Sequence, residues 1–383
     1  MAKLLYLITE DWFFCSHFLE RGRAAHAAGY EVVVAARPNQ HVRQIEAAGL
    51  RFVPLAFERN GVNPFYELKT LLQIAALYRK EQPDLVHHIA LKPVIYGALC
   101  GLLFRRLEVI NAPVGMGFVF SSSSLLARAL RPLVMGILRL CLATPRSHVV
   151  FENKDDLQAF VKAGTVPEDR AHLIRGAGVN LQLFKPCSAP DGTVRILLPA
   201  RMLADKGVRE FVAAAGRVRA SGVKAEFLLA GGTDSNPASI PEAQLRAWHD
   251  SGDVTWLGQV TDMAALLRTV HIVCLPSYRE GLPKSLLEAL AAGIPVISTD
   301  VPGCREVVQH GHNGLLVPAR DVDHLTAALT QLIKDPGLCQ IYGANGRMMA
   351  EQWFSEEAVI AQTLLLYRQQ AAVTGALDHR TAA

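Results

Sequence analysis

No two of the seven cysteines stand in a C-x-x-C pair, and their odd number rules out a complete disulfide framework. Cys15, Cys100, Cys141, Cys187, Cys274, Cys304 and Cys339 fall mostly within apolar runs, so they read as buried thiols in a reducing cytoplasm. Neither half of the chain opens with G-x-G-x-x-G after its first strand: the first gives TEDWFFCSH and the second ARMLADKG, which excludes an NAD or FAD fingerprint. Lysine and arginine are scattered and form no basic stripe, so nucleic acid is not an expected partner. The longest uninterrupted apolar or glycine run, Val94 to Phe104, is far short of the roughly 20 residues that span a bilayer. No transmembrane helix is expected. The opening MAKLLYLITED meets an acidic pair early and lacks a small-residue cleavage site, and it reads as a first strand rather than a signal peptide. Metal-binding patterns are also missing. The one clear Asp-x-Asp, Asp321-Val-Asp323, leads into a late helix and reads as its N-cap, and the pairs His87-His88 and His310 with His312 lack a matching Cys or carboxylate. Neither metal nor cofactor is expected.

What remains is a greasy α/β pattern. Half of the 383 residues are hydrophobic and mean hydropathy is +0.20, enough for two domains with their own cores. A net charge of +4 favours anionic small molecules or anionic lipid. KLLYLI, EVVVAA, FVPLAF and DLVHHI alternate with helical patterns over about Ser16–Ala28, His41–Ala48 and Leu68–Lys80, the signature of βαβ units around a parallel sheet. After KPCSAPDGT the alternation restarts with RILLPA, AEFLLAGG, VTWLGQ, HIVCLPS, PVISTD and GLLVPA. The spacing predicts two Rossmann-like domains, 1–185 and 186–355. A helix over about 356–370 is expected to cross back onto the first.

Two clusters could carry chemistry. Tyr278-Arg-Glu-Gly-Leu-Pro-Lys-Ser-Leu-Leu-Glu runs from a strand through a tight loop into a helix, with Glu280 before the helix and Glu288 about two turns inside it. Gly281 would let a phosphate approach the helix N-terminus, and a carboxylate can accept hydrogen bonds from vicinal sugar hydroxyls. The plainer alternative is a pair of ordinary surface charges. Arg201 and Lys206-Gly207 follow the strand RILLPA and would neutralise a diphosphate, or form a solvated loop.

Taken together, Glu280 and Glu288, Arg201 with Lys206-Gly207, Gly178-Val-Asn180 with Phe184, and VISTDVPGCREVVQHGHNGLLVP closely resemble glycosyltransferase family four. EDWFFCSHFLERGRAAHAAGYEV, HHIALKPVIYG and VINAPVGMGFVFSSSS are similar to its bacterial members that build polysaccharides and lipid-linked oligosaccharides. The resemblance implies a GT-B fold and metal-independent transfer, with retention, from a nucleotide-sugar, commonly a UDP-sugar. It implies that Glu280 contacts donor-sugar hydroxyls, Glu288 holds the ribose, Arg201 and Lys206 bind the diphosphate, Gly281, Leu282 and Pro283 present backbone to it, and Asn180 belongs to the donor site. The family's histidine in the first domain meets no histidine in Val109-Ile110-Asn111-Ala112-Pro113. Either Asn111 or nearby backbone replaces it, or the role has moved to His87 or His88. With Asp11 and Lys92, these are the candidate acceptor or sugar contacts.

On the acceptor side, residues 121–146 interleave Leu125, Leu126, Leu130, Leu133, Val134, Ile137 and Leu138 with Arg128, Arg131 and Arg139. Such a stretch suits an anionic bilayer interface or, equally, a core helix with exposed arginines. The expectation is a hexosyltransferase or N-acetylhexosaminyltransferase acting on a polyprenyl-diphosphate-linked glycan, peripheral at the inner face of the cytoplasmic membrane. The alternatives are a sugar-nucleotide epimerase of the same fold and a non-catalytic sugar-nucleotide-binding subunit.

Overall fold

A computed structural model describes residues 1–57, 63–104, 107–114, 125–188, 190–234, 236 and 238–373, without the side chains of 64 and 125–131. The chain divides into two compact units, Met1–Ala177 with the chain from Val359 onward, and Gly178–Ala358.

The first unit is built on a seven-stranded parallel sheet ordered β3-β2-β1-β4-β5-β6-β7. Its strands are β1 (Lys3–Glu10), β2 (Glu31–Arg37), β3 (Arg51–Pro54), β4 (Leu85–Ile89), β5 (Glu108–Ala112), β6 (Ser147–Phe151) and β7 (Ala171–Leu173). The helices are α1 (Asp11–His17), α2 (Leu19–Ala27), α3 (Val42–Ala47), α4 (Pro64–Glu81), α5 (Leu91–Gly101), α6 (Leu125–Leu142), α7 (Lys154–Lys162) and α15 (Glu356–Val373). A strand covered on both faces must be apolar on both, which is why β1 reads as a continuous run. Leu5 and Leu7 point into one core with Ile74 and Tyr78 of α4, while Leu4, Tyr6 and Ile8 point into another with Leu366 and Tyr367 of α15. The Tyr367 hydroxyl donates to that of Tyr6 at 3.0 Å. Helix α4 starts four residues before the expected Leu68 because Asn63 caps it, its Oδ1 accepting from Phe65 N at 3.1 Å, and Pro64 supplies the first turn.

The second unit holds a six-stranded parallel sheet ordered β10-β9-β8-β11-β12-β13. Its strands are β8 (Val194–Pro199), β9 (Ala225–Ala230), β10 (Thr255–Trp256), β11 (Ile272–Leu275), β12 (Val296–Thr299) and β13 (Gly314–Val317). They are joined by α8 (Val208–Ala220), α9 (Glu242–Asp250), α10 (Met263–Leu267), α11 (Lys284–Ala291) and α12 (Cys304–Val307), and followed by α13 (Val322–Lys334) and α14 (Pro336–Met349). Asp321 caps α13, its Oδ1 accepting from His324 N at 3.0 Å.

The division falls at 177/178, not at 185. Val179 N donates to Phe354 O at 2.8 Å and Glu356 N to Val179 O at 3.0 Å, and Val179 and Phe184 lie in the core with Leu286 and Phe354. Residues 178–185 therefore pack with the second unit, and the Pro- and Gly-containing stretch lies inside it. Cys187 is exposed and Cys15 and Cys339 half-buried, against the reading of buried thiols that holds for Cys100, Cys141, Cys274 and Cys304. Of the 121–146 stretch, residues 121–124 and the side chains of Leu125, Leu126, Arg128, Leu130 and Arg131 lie outside the described residues. In the rest, Leu138 is buried against Val94 and Phe151, whereas Leu133 and Arg139 are exposed. No described helix is long and apolar enough to cross a membrane.

Candidate functional site

In an open α/β sheet the strand order reverses beside the first strand, and the loops leaving the two adjacent carboxyl ends part to leave a crevice. In the second unit these ends belong to β8 and β11. Both sequence clusters emerge there: Arg201 and Lys206 after β8, and Glu280 to Pro283 after β11.

The two loops are locked together. Gly207 has φ +72°, and a Cβ there would overlap the Pro276 carbonyl oxygen, so the glycine lets the lysine loop lie flat on the glutamate loop. Tyr278 N donates to Asp205 O at 2.8 Å across the same junction. Lys206 Nζ then reaches Glu280 Oε1 at 2.6 Å, and the Ser277 hydroxyl donates to that oxygen at 2.6 Å. The pair is mostly buried, with 19% and 12% of the two side chains exposed. Arg201 is more open and is engaged by Asp234 from the loop after β9.

Behind the loop, Gly303 plays the role on the next strand that Gly207 plays on the first. At φ +81° it admits the carbonyls of Glu280 and Gly281 where a Cβ would collide with both. The Cys304 thiol is pushed up to about 12 by burial, with the Glu280 charge adding to it. Hydroxyls of β12 tie down the stem: Ser298 Oγ donates to Leu275 O at 2.7 Å, and Thr299 Oγ1 to Ser277 O. The Tyr278 hydroxyl donates to Glu210 at 2.5 Å, and the Arg320 guanidinium lies 4.4 Å from its ring centre.

Pro283 is the N-cap residue of α11, and Glu288 lies just over one turn inside the helix, not two. Leu282 and Pro283 are buried and Gly281 half-buried. Burial lifts the Glu288 carboxyl from its ordinary 4.5 to about 7, only partly offset by Lys284 one turn earlier. A carboxyl whose folded pKa is raised stabilises the fold below its unfolded pKa, and that contribution is lost as pH rises through the folded value. Glu288→Gln is therefore expected to gain stability relative to the parent between about pH 5 and pH 8, by up to about 3 kcal/mol. Thermal melts across that range check it; a pH-independent difference would sink the assignment. Asn180 is exposed, and its Oδ1 closes its own turn on Gln182 N at 3.0 Å and Leu183 N at 2.8 Å.

In the first unit the expected contacts Asp11, His87, His88 and Asn111 are all buried. His88 is fully buried between Tyr78 and Asn111: its Nδ1 is 2.8 Å from Asn111 Oδ1 and its Nε2 2.6 Å from the Tyr78 hydroxyl. The Asn111 amide donates onward to Ser147 Oγ at 2.9 Å. Burial holds His88 down to about 4, so it is neutral: Nδ1 donates to Asn111 and Nε2 accepts from Tyr78. His87 points to the opposite face of β4, where its Nδ1 lies 2.6 Å from the Tyr367 hydroxyl. Desolvation holds it well below the usual range. These side chains lie in the core, where among the described residues His87 Nε2 has no hydrogen-bond partner. Asp11 is buried as well, and organises a loop by accepting from Asn39 N, Asn39 Nδ2 and His41 N at 2.6, 2.9 and 3.1 Å. Burial alone would raise its pKa, but those bonds together hold it below the ordinary value. Lys92, at the carboxyl end of β4, is half-buried and pairs with Glu67 at 2.7 Å.

Sequence reading gave no role to Ser277, Tyr278 or Gly303, which stood inside stretches it quoted, and missed Glu210, Arg320 and Asp234. Ser277 adjoins the loop already singled out, whereas Glu210, Arg320 and Asp234 are brought to it only by the fold.

A family model described as glycosyl transferase 4-like matches residues 3–142, and one described as glycosyl transferases group 1 matches residues 193–335. The chain belongs to these glycosyltransferases, and its fold is GT-B. It is 27% identical over 348 residues, 88% of this chain and 90% of the relative, to the N,N'-diacetylbacillosaminyl-diphospho-undecaprenol alpha-1,3-N-acetylgalactosaminyltransferase of Campylobacter jejuni. Among solved structures, sucrose-phosphate synthase from Thermosynechococcus elongatus superposes with a TM-score of 0.81 at 22% identity, covering 97% of this chain and all of that one. Anabaena HepE in complex with UDP-glucose superposes at 0.73 and 17% identity, covering 95% of this glycosyltransferase and all of HepE.

Proposed function

We propose that this glycosyltransferase moves a hexose or N-acetylhexosamine, with retention, from a UDP-sugar onto a polyprenyl-diphosphate-linked glycan in cell-surface polysaccharide assembly. The observation that carries the reading is the Lys206–Glu280 pair, 2.6 Å apart in the crevice beside β8 and β11. A cation there suits a departing diphosphate, and a carboxylate suits the hydroxyls of a sugar. In the proposed reaction the acceptor hydroxyl forms its bond to the anomeric carbon on the face from which the diphosphate departs. Arg201 and Lys206 stabilise the charge that develops on the leaving oxygen, and that phosphate takes the acceptor's proton. Glu280 orients donor hydroxyls, Glu288 holds the ribose, and Gly281, Leu282, Pro283 and Asn180 complete the donor site. Two cations do the electrostatic work, so the scheme invokes no metal and no cofactor. The Campylobacter relative named for an undecaprenol-linked acceptor supports the acceptor class, and HepE with UDP-glucose supports the nucleotide. Such an acceptor would be met at the inner face of the cytoplasmic membrane, with residues 121–146 as one route to the anionic surface.

Nucleotide release from a panel of UDP- and GDP-sugars, with and without extracted polyprenyl-linked acceptor, tests the reading. Acceptor-dependent release from one donor, reduced about a hundredfold or more by Glu280→Ala, is the expected outcome. Equal release without acceptor would replace transfer by epimerase or hydrolase chemistry, and nucleotide binding without release would leave a binding subunit.

A further inference from the structure

Helix α4 carries its charges the wrong way round for an ordinary surface helix. Its two acids face inward: Glu67 takes Lys92 Nζ and the Tyr96 hydroxyl, each at 2.7 Å, and Glu81, with 5% of its side chain exposed, pairs with Arg51 and Lys3. Its solvent side instead presents Phe65, Leu68 and Leu72, which are 84%, 56% and 64% exposed. These lie at i, i+3 and i+7, one row about 10 Å long. Around the row the exposed charges of α4 are all positive: Lys69, Arg79 and Lys80. The row is held to the chain leaving β3, because the one Thr70 hydroxyl proton is shared between Tyr66 O at 2.9 Å and Ala56 O at 3.1 Å.

At the start of the helix a groove of about 280 Å³ opens beside the carboxyl ends of β2 and β3, with Phe57 and Tyr66 on its walls and Arg37 and Lys69 at its rim. An exposed aromatic and two leucines in line with cations, on a helix whose acids are turned inward, match the two layers of a bilayer interface. Acyl chains would take the apolar row, and anionic headgroups the cations. A small soluble anion would use the cations and leave the row unexplained.

We infer that the exposed face of α4 and the groove at its start dock the chain on an anionic bilayer surface. This surface is distinct from residues 121–146, and the inference stands whether or not the transfer reading holds, since it concerns vesicles free of acceptor and donor. The test is flotation of the full chain with phosphatidylcholine vesicles, with and without phosphatidylglycerol. The chain should float with the anionic vesicles. Phe65→Ser with Leu68→Ser should lower the partition about tenfold. Lys69→Glu should lower it about fivefold, with less loss in high salt. All of these positions are exposed, so the variants should melt with the parent. Unchanged flotation of both variants would overturn the inference. So would loss confined to Leu133→Ser with Leu140→Ser on α6, or a change from dimer to monomer in the α4 variants with flotation intact.

Discussion

Lys206→Ala is expected to lower kcat/KM by about two to three orders of magnitude, the loss that follows removal of one preorganised group from a developing anion. The lysine is held by its neighbours rather than by solvent: Glu280 lies 2.6 Å away and the loop is pinned by the Tyr278 to Asp205 bond. Little reorganisation is therefore needed when charge builds on the leaving phosphate. Truncation removes the cation and also strands a mostly buried Glu280 carboxylate beside the departing anion, so the two effects add. Lys206→Arg keeps the charge but not the reach, and should recover only part of the loss. Arg201→Ala should cost less, because Arg201 is 42% exposed and shares its charge with Asp234. Steady-state kinetics with the donor found in the release assay check the order. An Arg201 effect exceeding that of Lys206, or a Lys206→Ala variant within a few-fold of the parent, would remove the lysine from the role given to it.

The sheets were legible because strands buried on both faces must be apolar throughout, so KLLYLI and HIVCLP stand out from helical neighbours. The candidate cluster after β11 was legible as a unit because its main parts lie in one strand, loop and helix. Asp234 was not, since its loop meets Arg201 only through the pairing of β8 with β9. The burial of His87, His88 and Asn111 was not legible, for a physical reason. Polar residues near the end of a buried strand look alike in sequence whether they face a ligand or one another. Only the register that sets His88 beside Asn111, and the return of α15 that brings Tyr367 to His87 Nδ1, shows them inside the core. The unit boundary escaped for a similar reason. Residues 178–185 carry no composition signal of their own, and they join the second unit through the pairing of Val179 with Ser355.

Gly207→Ala is expected to be among the most damaging small substitutions in the second unit. The residue sits at φ +72°, where any L side chain is strained, and the new Cβ would also meet the Pro276 carbonyl. Backbone strain of this kind costs about 1 kcal/mol or somewhat more. Relieving the collision means moving the lysine loop away from the glutamate loop and giving up their close packing, a further loss of about 1–3 kcal/mol. For a unit of this size the sum corresponds to a fall in Tm of about 10 °C. Turnover should fall with it, since the two functional side chains no longer share one crevice. Gly222 provides the comparison: its φ is +79°, yet a Cβ there would meet nothing within 4 Å. Gly222→Ala should lower Tm by only about 2–4 °C and leave turnover intact. Calorimetry and kinetics on the two variants separate strain from close approach. Equal losses would mean that backbone strain alone fixes glycine at 207, whereas the larger loss at 207 would identify the contact of the two loops as what the site requires.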